Sequence, residues 1–171
     1  MALIRAVNGM APKWGSNCFI AENATVVGDV QMGNDCSVWF QAVVRGDVHY
    51  IKIGNKVNIQ DGAILHCTYQ KAPLNIGNFV SIGHRAVVHG CTIEDNVLIG
   101  MGAIVMDNVL VKQNVIIGAG SVVKENSVLE SNSIYAGVPA KKIKDMDPEK
   151  FADLIERIGN NYVMYANWFK D

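Results

Sequence analysis

The feature that most constrains this chain is a repeat of aliphatic side chains every six residues. The repeated positions are Ile20, Val26, Met32, Val38, Val44, Ile53, Ile59, Leu65, Ile76, Ile82, Val88, Ile93, Ile99, Val105, Val111, Ile117, Val123, Leu129 and Tyr135. No α-helix has a period of six, and an ordinary amphipathic strand alternates every two residues. Six residues suffice for one short strand and a turn. Three such units close a triangular coil. The repeated positions therefore make about six coils, which stack ~4.8 Å apart.

The repeat therefore predicts an all-β fold, a single-stranded parallel β-helix over residues 1–140. An antiparallel sandwich would need clusters of turn residues between longer strands and does not explain the regular period. The period breaks after Val44, Leu65 and Val88, where the next aliphatic position follows nine, eleven and five residues later. Insertions in a solenoid form surface loops, often on the functional face.

The pattern changes after Pro139. Asp147-Pro148-Glu149 has the order of an N-cap, a proline at the first helical position and an acidic residue in the first turn. Helical spacing then relates Phe151, Leu154, Ile155, Ile158, Tyr162, Tyr165 and Phe169. We expect residues 141–171 to form a C-terminal α-helical segment of the same domain, packed on the side of the β-helix or against a neighbouring subunit.

Composition and charge disfavour several classes of protein. The 171 residues carry 15 basic and 16 acidic side chains and a formal net charge of −1, which disfavours a nucleic-acid partner. No run approaches the ~20 apolar residues of a membrane helix, and the N-terminus lacks the pattern of a signal peptide. Cys18, Cys36, Cys67 and Cys91 form no CxxC pair, so we expect buried thiols in a cytoplasmic protein without membrane association.

Three of the four histidines fall close together and share the repeat register. His66 follows Leu65 and His89 follows Val88, so both occupy the position after an inward aliphatic residue. With three units per coil, they lie on one wall in adjacent coils, about 4.8 Å apart. Two imidazoles placed in this way can bind one metal ion with Zn–N bonds of roughly 2.0–2.1 Å. The fourth histidine, His49, lies in an insertion and is expected to be exposed.

His84 occupies a different position in the register. It follows Ile82 by two residues, which places it on the preceding wall and around a corner. It can complete a three-histidine site only when a second subunit supplies it. The sequence therefore predicts metal sites at subunit interfaces, with a symmetric trimer as the natural assembly of a three-sided prism. Histidines that form interface hydrogen bonds without a metal are the alternative.

The same register surrounds the histidines with polar side chains. Arg45 lies on the wall of His66, one coil earlier. Asp61 stacks against His84, whose ring it can orient, and Gln60 stands beside it. Polar groups with hydrogen-bonding reach are therefore expected around the proposed ion.

Arg45 and Asp47 are better interpreted as a salt bridge between subunits than as catalytic groups. Paired charges perturb each other in structural ion pairs as well as in active sites.

Several motifs together resemble the γ-class carbonic anhydrases. They are Arg45-Gly46-Asp47, Asn58-Ile59-Gln60-Asp61-Gly62, Leu65-His66, Gly83-His84 and Leu98-Ile99-Gly100-Met101-Gly102. The resemblance implies a left-handed β-helix assembled as a homotrimer, with His66 and His89 from one subunit and His84 from the next. It also implies that Gln60 helps to hold the reacting water and that Asn58 lies nearby. Arg45 and Asp47 then match an interface pair, and Tyr162 matches a tyrosine near the active site.

The implied chemistry is the reversible hydration of CO2 to bicarbonate at a zinc ion. Three neutral imidazoles leave Zn²⁺ its charge and one open position, which makes water reactive at neutral pH. The best-known members of the family carry an acidic loop that removes the proton. Here Val48 follows Asp47, and residues 67–71 contain no carboxylate. Slow hydration, or another reaction at the same centre, is therefore open.

Two other functions remain open from the sequence. A hexapeptide-repeat acyltransferase would use acyl-CoA and needs one histidine as general base, and residues 135–141 occur in both groups. A non-catalytic metal-binding scaffold is the second alternative. Imidazole ligands also suit Fe²⁺ or Co²⁺, so the sequence does not fix the metal.

Overall fold

The computed structural model describes residues 1–170. Its strands up to the middle of the chain are β1 (Leu3–Arg5), β2 (Lys13–Trp14), β3 (Phe19–Ile20), β4 (Thr25–Met32), β5 (Ser37–Val38), β6 (Val43–Ile53), β7 (Asn58–Ile59), β8 (Ile64–His66), β9 (Leu74–Ile76) and β10 (Ser81–Ile82). Then follow β11 (Val87–His89), β12 (Thr92–Ile93), β13 (Leu98–Ile99), β14 (Ile104–Val105), β15 (Leu110–Val111), β16 (Val115–Ile117), β17 (Val122–Val123), β18 (Val128–Leu129), β19 (Ser133–Ala136), β20 (Lys141–Asp145) and the helix α1 (Pro148–Asn167).

The strands stack into three walls of parallel, in-register pairs, which confirms the predicted β-helix. Wall A contains β1, the first halves of β4 and β6, then β8, β11, β14 and β17. Wall B contains β2, the second halves of β4 and β6, then β9, β12, β15 and β18. Wall C contains β3, β5, β7, β10, β13, β16 and β19.

The solenoid has about seven coils, one more than the sequence predicted. The additional coil is N-terminal, where Ile4 pairs with Val26 and Trp14 with Met32. Ile4 and Trp14 are not six residues apart, so the six-residue repeat does not include them. They lie on the outermost coil and stay partly exposed, at 41% and 39%.

The inward side chains of the repeat form one continuous core. Val26, Val44, Leu65, Val88 and Val105 on wall A are all 0% exposed. Burying an aliphatic side chain of this size stabilises a fold by roughly 1.5–3 kcal/mol relative to leaving it exposed. Because each inward residue packs on its equivalent in the next coil, the hydrophobic effect fixes the register of the whole stack.

Each corner of the triangle bends the chain through a residue with positive φ. One corner uses Asn17, Asp35, Lys56, Phe79, Asn96, Asn114 and Asn132, with φ between 52° and 60°. Asparagine and aspartate tolerate this region better than other residues because their side chains bond locally. At the same corner, Asn34, Asn55 and Asn78 each accept a hydrogen bond from the backbone of an adjacent coil, at 2.8–2.9 Å. The corners therefore fix both the bend and the register.

The breaks in the period change the path of the chain on wall A. After Val44 the extra residues remain extended, so β6 runs across two walls as one long strand. After Leu65 the insertion forms a loop closed by an antiparallel bridge between Thr68 and Ala72. This loop lies beside His66.

The C-terminal segment differs in part from the prediction. Asp147 caps α1 and accepts a hydrogen bond from the backbone of Glu149, with Pro148 in the first turn, as expected. Residues 141–145, however, form β20 and pair antiparallel with β19 instead of continuing the helix. The last strand of wall C otherwise has a free edge, and β20 supplies hydrogen-bond partners for it.

Helix α1 packs on wall C, which confirms that it buries its apolar stripe on the β-helix. It contacts β5 and β10, and the outward residues Ser37, Asn58 and Ser81 are buried as a result. Tyr162 on the helix meets Trp39 edge to face, with ring centroids 5.6 Å apart. No helix among residues 1–170 is both long and apolar enough to cross a membrane.

The outward faces of the other two walls differ in polarity. Wall A presents a column of stacked outward residues that is apolar except for Thr25, namely Leu3, Thr25, Val43, Ile64, Val87, Ile104 and Val122. The equivalent column of wall B is largely polar and begins with Lys13, Gln31, Lys52, Asn75 and Thr92. Wall A is therefore the apolar face that α1 leaves uncovered.

The four cysteines are free thiols, as the sequence indicated. Cys36, Cys67 and Cys91 are buried, whereas Cys18 is only partly buried at a corner. Burial raises the pKa of Cys67 to about 12, so this thiol stays protonated and inert.

Substitutions of two corner glycines should have graded effects on stability. A Cβ at Gly100 would lie 2.4 Å from the backbone nitrogen of Ala119. Gly100→Ala therefore forces two coils apart and should lower the free energy of unfolding by about 3 kcal/mol. Gly120 has φ of +67°, and apart from the two adjacent residues no atom of residues 1–170 lies within 4 Å of an added Cβ. Gly120→Ala should cost about 1 kcal/mol, from the backbone alone.

Urea unfolding at one fixed protein concentration measures both values. Gly120→Asn is the matched control and should cost less than Gly120→Ala, because asparagine adopts this conformation at other corners. Equal losses of stability for Gly100→Ala and Gly120→Ala would show that the close approach of neighbouring coils does not exclude a side chain at position 100.

Candidate metal centre

His66 and His89 stand one above the other on wall A. Strands β8 and β11 pair in register, with His66 opposite His89. The two ring centroids are 5.0 Å apart, and Nδ1 of His66 lies 3.0 Å from Nε2 of His89. The stacking predicted from the repeat register is therefore present in the fold.

A carboxylate lies behind each of these two rings. Asp47 Oδ1 is 3.1 Å from Nε2 of His66, and Asp107 Oδ1 is 2.5 Å from Nδ1 of His89. An ionised carboxylate only accepts hydrogen bonds, so these ring nitrogens carry the hydrogens of the neutral imidazoles. The remaining nitrogens are then two lone pairs that face each other.

The local electrostatics keep both carboxylates ionised. Burial opposes the ionisation of Asp47, but hydrogen bonds from Arg45 and His66 outweigh it and hold the pKa of Asp47 below its usual value. Burial likewise opposes the ionisation of Asp107, and the hydrogen bonds that its carboxylate accepts outweigh it, so its pKa is also lowered. Burial lowers the pKa of His66. A neutral imidazole beside ionised carboxylates is the state that metal binding requires.

His84 lies at the corner that follows β10 on wall C, away from the other two histidines in the register. Its Nδ1 is 2.9 Å from Oδ2 of Asp61, so the sequence placed this carboxylate correctly beside the ring. By the argument above, Nδ1 carries the hydrogen and Nε2 is the free lone pair. The side chain is 44% exposed, which leaves Nε2 available to a second chain.

Gln60 and Asn58 form a buried row of hydrogen bonds that leads to His84. Gln60 Oε1 accepts from the backbone nitrogen of His84 at 3.2 Å, and its Nε2 donates to Asn58 Oδ1 at 3.0 Å. Asn58 in turn donates to Ser81 Oγ at 2.8 Å. These contacts fix the backbone at His84, and the amide of Gln60 keeps a second hydrogen that Asn58 does not use.

Arg45 and Asp47 pair within one chain, whereas the sequence analysis placed this pair between subunits. Nη1 of Arg45 is 2.6 Å from Oδ2 of Asp47. Since the other oxygen of Asp47 faces His66, the pair also holds the carboxylate behind that ring. The physical reason is the local path of β6, which places both side chains on the outer face of the strand two residues apart.

Tyr162 lies near the His84 side of the site. Its half-buried ring packs on Trp39, and burial raises its pKa to about 12, with the charge of Asp61 as a further cause. The phenol therefore keeps its hydrogen at neutral pH and can serve as a donor, not as a base. His49 lies apart from the other histidines and is half-buried against Tyr50, not exposed as expected.

Sequence reasoning missed Asp107 and Thr68. Asp107 comes two residues after Val105, which pairs with Val88 on wall A, so the register could have placed it opposite Gly90 and next to His89. Thr68 lies in the insertion after Leu65, where the register is lost and no pattern places it.

One chain alone does not assemble a three-ligand metal site. Within residues 1–170, no group of three histidine, cysteine or acidic side chains is arranged to hold an ion. Two ligand nitrogens lie on wall A, and the third histidine faces outward around the corner. The three histidines thus lie on two faces of the same chain.

The residues on wall A fit a zinc ion. Two nitrogens on a tetrahedral ion with bonds of about 2.0–2.1 Å lie roughly 3.3 Å apart, close to the observed separation. The nitrogens of His66 and His89 are 3.0 Å apart. Each ring donates its other N–H to a carboxylate, as metal-binding histidines do.

Comparison with known proteins finds relatives that span most of this chain. Residues 90–125 match the family model "Bacterial transferase hexapeptide (six repeats)". The chain is 42% identical to a carbonic anhydrase of Geobacillus kaustophilus, over 98% of this chain and 91% of that protein. It is 38% identical to the mitochondrial γ carbonic anhydrase 2 of Arabidopsis thaliana, over 91% of this chain and 58% of that protein.

A solved structure has the same fold along its whole length. A Bacillus cereus protein described as a putative acetyltransferase superposes with a TM-score of 0.92 and 38% identity, covering 99% of this chain and 97% of that chain. The fold, the three carboxylate-backed histidines and the identity over nearly the full length lead to one assignment. The chain belongs to the γ-class carbonic anhydrase family of hexapeptide-repeat proteins.

Proposed function

We propose that this protein hydrates CO2 to bicarbonate at a zinc site shared between two chains of a homotrimer. The observation that carries the proposal is the pair of ring nitrogens on His66 and His89, which face each other 3.0 Å apart with a carboxylate behind each ring. Two facing lone pairs repel each other unless a cation or a proton lies between them. Family membership favours the cation.

The apolar column of wall A supports a second chain as the source of the third ligand. Ile64 and Ile104 are 43% and 38% exposed, and they lie on the wall that carries His66 and His89. Apolar side chains stacked along one wall form a patch typical of an interface between protein chains. In a closed three-fold ring, each wall A meets the same surface of its neighbour, and we propose that His84 lies on that surface.

Zinc would be held by Nδ1 of His66, Nε2 of His89 and Nε2 of His84 from the neighbouring chain. When bound, the ion supplies Lewis acidity, which makes water nucleophilic near neutral pH. Fe²⁺ and Co²⁺ suit the same donors.

The chain's own residues orient the ligands and the small substrate. Asp61 and Asp107 keep the His84 and His89 rings in the orientation and tautomer that bind a cation. The second hydrogen on Gln60 Nε2 can donate to an oxygen beside His84, and Tyr162 remains a protonated donor on the same side. Asn58 holds the Gln60 amide in place.

Proton removal is the step for which this chain is least equipped. Residues 67–71 contain no carboxylate and Val48 follows Asp47, so no acidic loop stands beside the site. We therefore expect turnover to depend on external buffer. The hydration rate should rise about 10-fold or more when imidazole buffer is increased at constant pH and ionic strength, as expected when proton transfer limits the rate. Stopped-flow hydration assays measure this, and a rate independent of buffer would require an internal proton acceptor.

A shared site predicts that two inactive variants restore each other. His84→Ala and His89→Ala should each abolish zinc binding and CO2 hydration as pure proteins. When the two variants are unfolded and refolded together, the chains mix at random in the trimers. About a quarter of the subunit interfaces then pair an intact His84 with an intact wall A. Zinc content and hydration rate should recover to about that fraction of wild type.

Each variant refolded alone is the control for this experiment. If the mixture stays metal-free while the refolded wild type binds one zinc per chain, the site is not shared between two chains. Zinc bound by the wild type without any CO2 hydration would favour the metal-binding scaffold.

The proposed interface predicts an effect of charge on assembly. Ile104→Asp places a carboxylate in the apolar column of wall A and should convert the trimer to a monomer of 18.6 kDa. Val128→Asp is the matched control, because Val128 is 51% exposed on wall B. Light scattering after size exclusion measures both masses. A trimer in the Ile104→Asp variant would place the interface elsewhere.

Acyl transfer from CoA is the second candidate function. The solved structure at 38% identity is described as a putative acetyltransferase, which keeps this activity open for the present chain. An assay for the free thiol of CoA with acetyl-CoA and amine acceptors discriminates between the two. We expect no thiol release above background from the zinc-loaded wild type, and release that persists in His84→Ala without zinc would reverse the assignment.

A further inference from the structure

The loop inserted after Leu65 contacts the proposed metal site through one side chain. Thr68 Oγ1 donates a hydrogen bond to Asp107 Oδ2 at 2.5 Å. The other carboxylate oxygen, Asp107 Oδ1, is 2.5 Å from Nδ1 of His89. Thr68, Asp107 and His89 thus form a chain of hydrogen bonds that begins in the loop and ends at a ligand.

The packing around Asp107 is adapted to this arrangement. A Cβ at Gly90 would lie 2.5 Å from Oδ1 of Asp107 and 2.8 Å from Cβ of Ala72. Because Gly90 has no side chain, the carboxylate of Asp107 has room to reach His89 below the loop. The backbone of Gly90 donates to the carbonyl of His66 at 3.0 Å, which ties the same point to the other ligand.

The loop is itself held in shape around Thr68. The backbone carbonyl of Thr68 accepts from the nitrogens of Lys71 and Ala72, at 3.1 and 3.3 Å. These turn contacts fix the hydroxyl above Asp107. A carboxylate held through both oxygens is restricted in rotation, so its Oδ1 stays within hydrogen-bonding distance of Nδ1 of His89.

We propose that Thr68 and Asp107 are positioning residues, which fix the tautomer and the orientation of His89 and so set the affinity of the site for zinc. The inference rests on the proposed zinc site. It gives the inserted loop a specific role, because the hydroxyl that orients the carboxylate comes from the insertion and not from the repeat. A carboxylate that accepts a hydrogen bond from a metal-binding histidine raises metal affinity about 10- to 100-fold.

The test is a series of variants read by two methods. Zn²⁺ affinity of the trimer is measured by competition with a chromogenic chelator. We expect Asp107→Asn to weaken it by about 10- to 100-fold and Thr68→Val by about 3- to 10-fold. Thr68→Ser keeps the hydroxyl and should stay within about twofold of wild type. Thr92→Val is the matched control, since Thr92 is exposed on wall B.

The second readout needs no metal. Nitrogen-15 chemical shifts of the His89 ring in the metal-free protein report which nitrogen carries the hydrogen. Wild type and Thr68→Ser should show the Nδ1–H form, and Asp107→Asn and Thr68→Val should show a mixture of tautomers. Circular dichroism and light scattering identify any variant that fails to fold or assemble. Thr68→Val remains decisive because valine has nearly the shape of threonine and lacks only the hydroxyl, which Thr68→Ser keeps.

The outcomes separate the inference from the proposed function. A wild type that binds no zinc rejects the proposed function, while the ring shifts still test the positioning role. Zinc that binds wild type, Thr68→Val and Asp107→Asn equally, with unchanged ring shifts, overturns the inference and leaves the shared site intact.

Discussion

The stacking of coils in register is the interaction on which the rest of this structure depends. Inward aliphatic residues pack on their equivalents in the next coil, and slipping by one residue would turn the whole buried set outward. This constraint acts on the outward residues as well, since they follow the inward ones at fixed offsets. It is why His66 and His89, 23 residues apart, have ring nitrogens 3.0 Å apart.

The site uses this rigid frame and adds a carboxylate to each histidine. Asp47, Asp61 and Asp107 stand behind His66, His84 and His89, at 3.1, 2.9 and 2.5 Å. The arrangement leaves one free lone pair on each ring, as cation binding requires. Two of these lone pairs converge on wall A, and the third faces away from them.

The three walls have different surroundings, and this asymmetry gives the chain its proposed assembly. Helix α1 covers wall C and buries its polar outward residues, whereas wall B stays largely polar. Wall A retains exposed apolar residues beside two of the three histidines. A trimer closed through wall A would bury that column and bring the third histidine to the site, so the same surface would serve stability and chemistry.

The sequence by itself determined the period, the three walls, the stacking of His66 on His89, the corner position of His84 and the contact with Asp61. These follow from local spacing, because a solenoid converts a distance in sequence into a position on a wall. The N-terminal coil, β20 and the partners of the insertion loop needed the tertiary structure. There the period is lost, and packing and free strand edges decide the path of the chain.

Asp107 and Thr68 show this division most clearly. Asp107 lies within the repeat, opposite Gly90, so its position next to His89 follows from register, but register does not show that its second oxygen is held. Thr68 lies in the insertion, and only the folded loop brings its hydroxyl to that carboxylate. The repeat thus determined where the histidines stand, and tertiary contacts decided how firmly they are oriented, because side-chain hydrogen bonds depend on distances that no sequence period encodes.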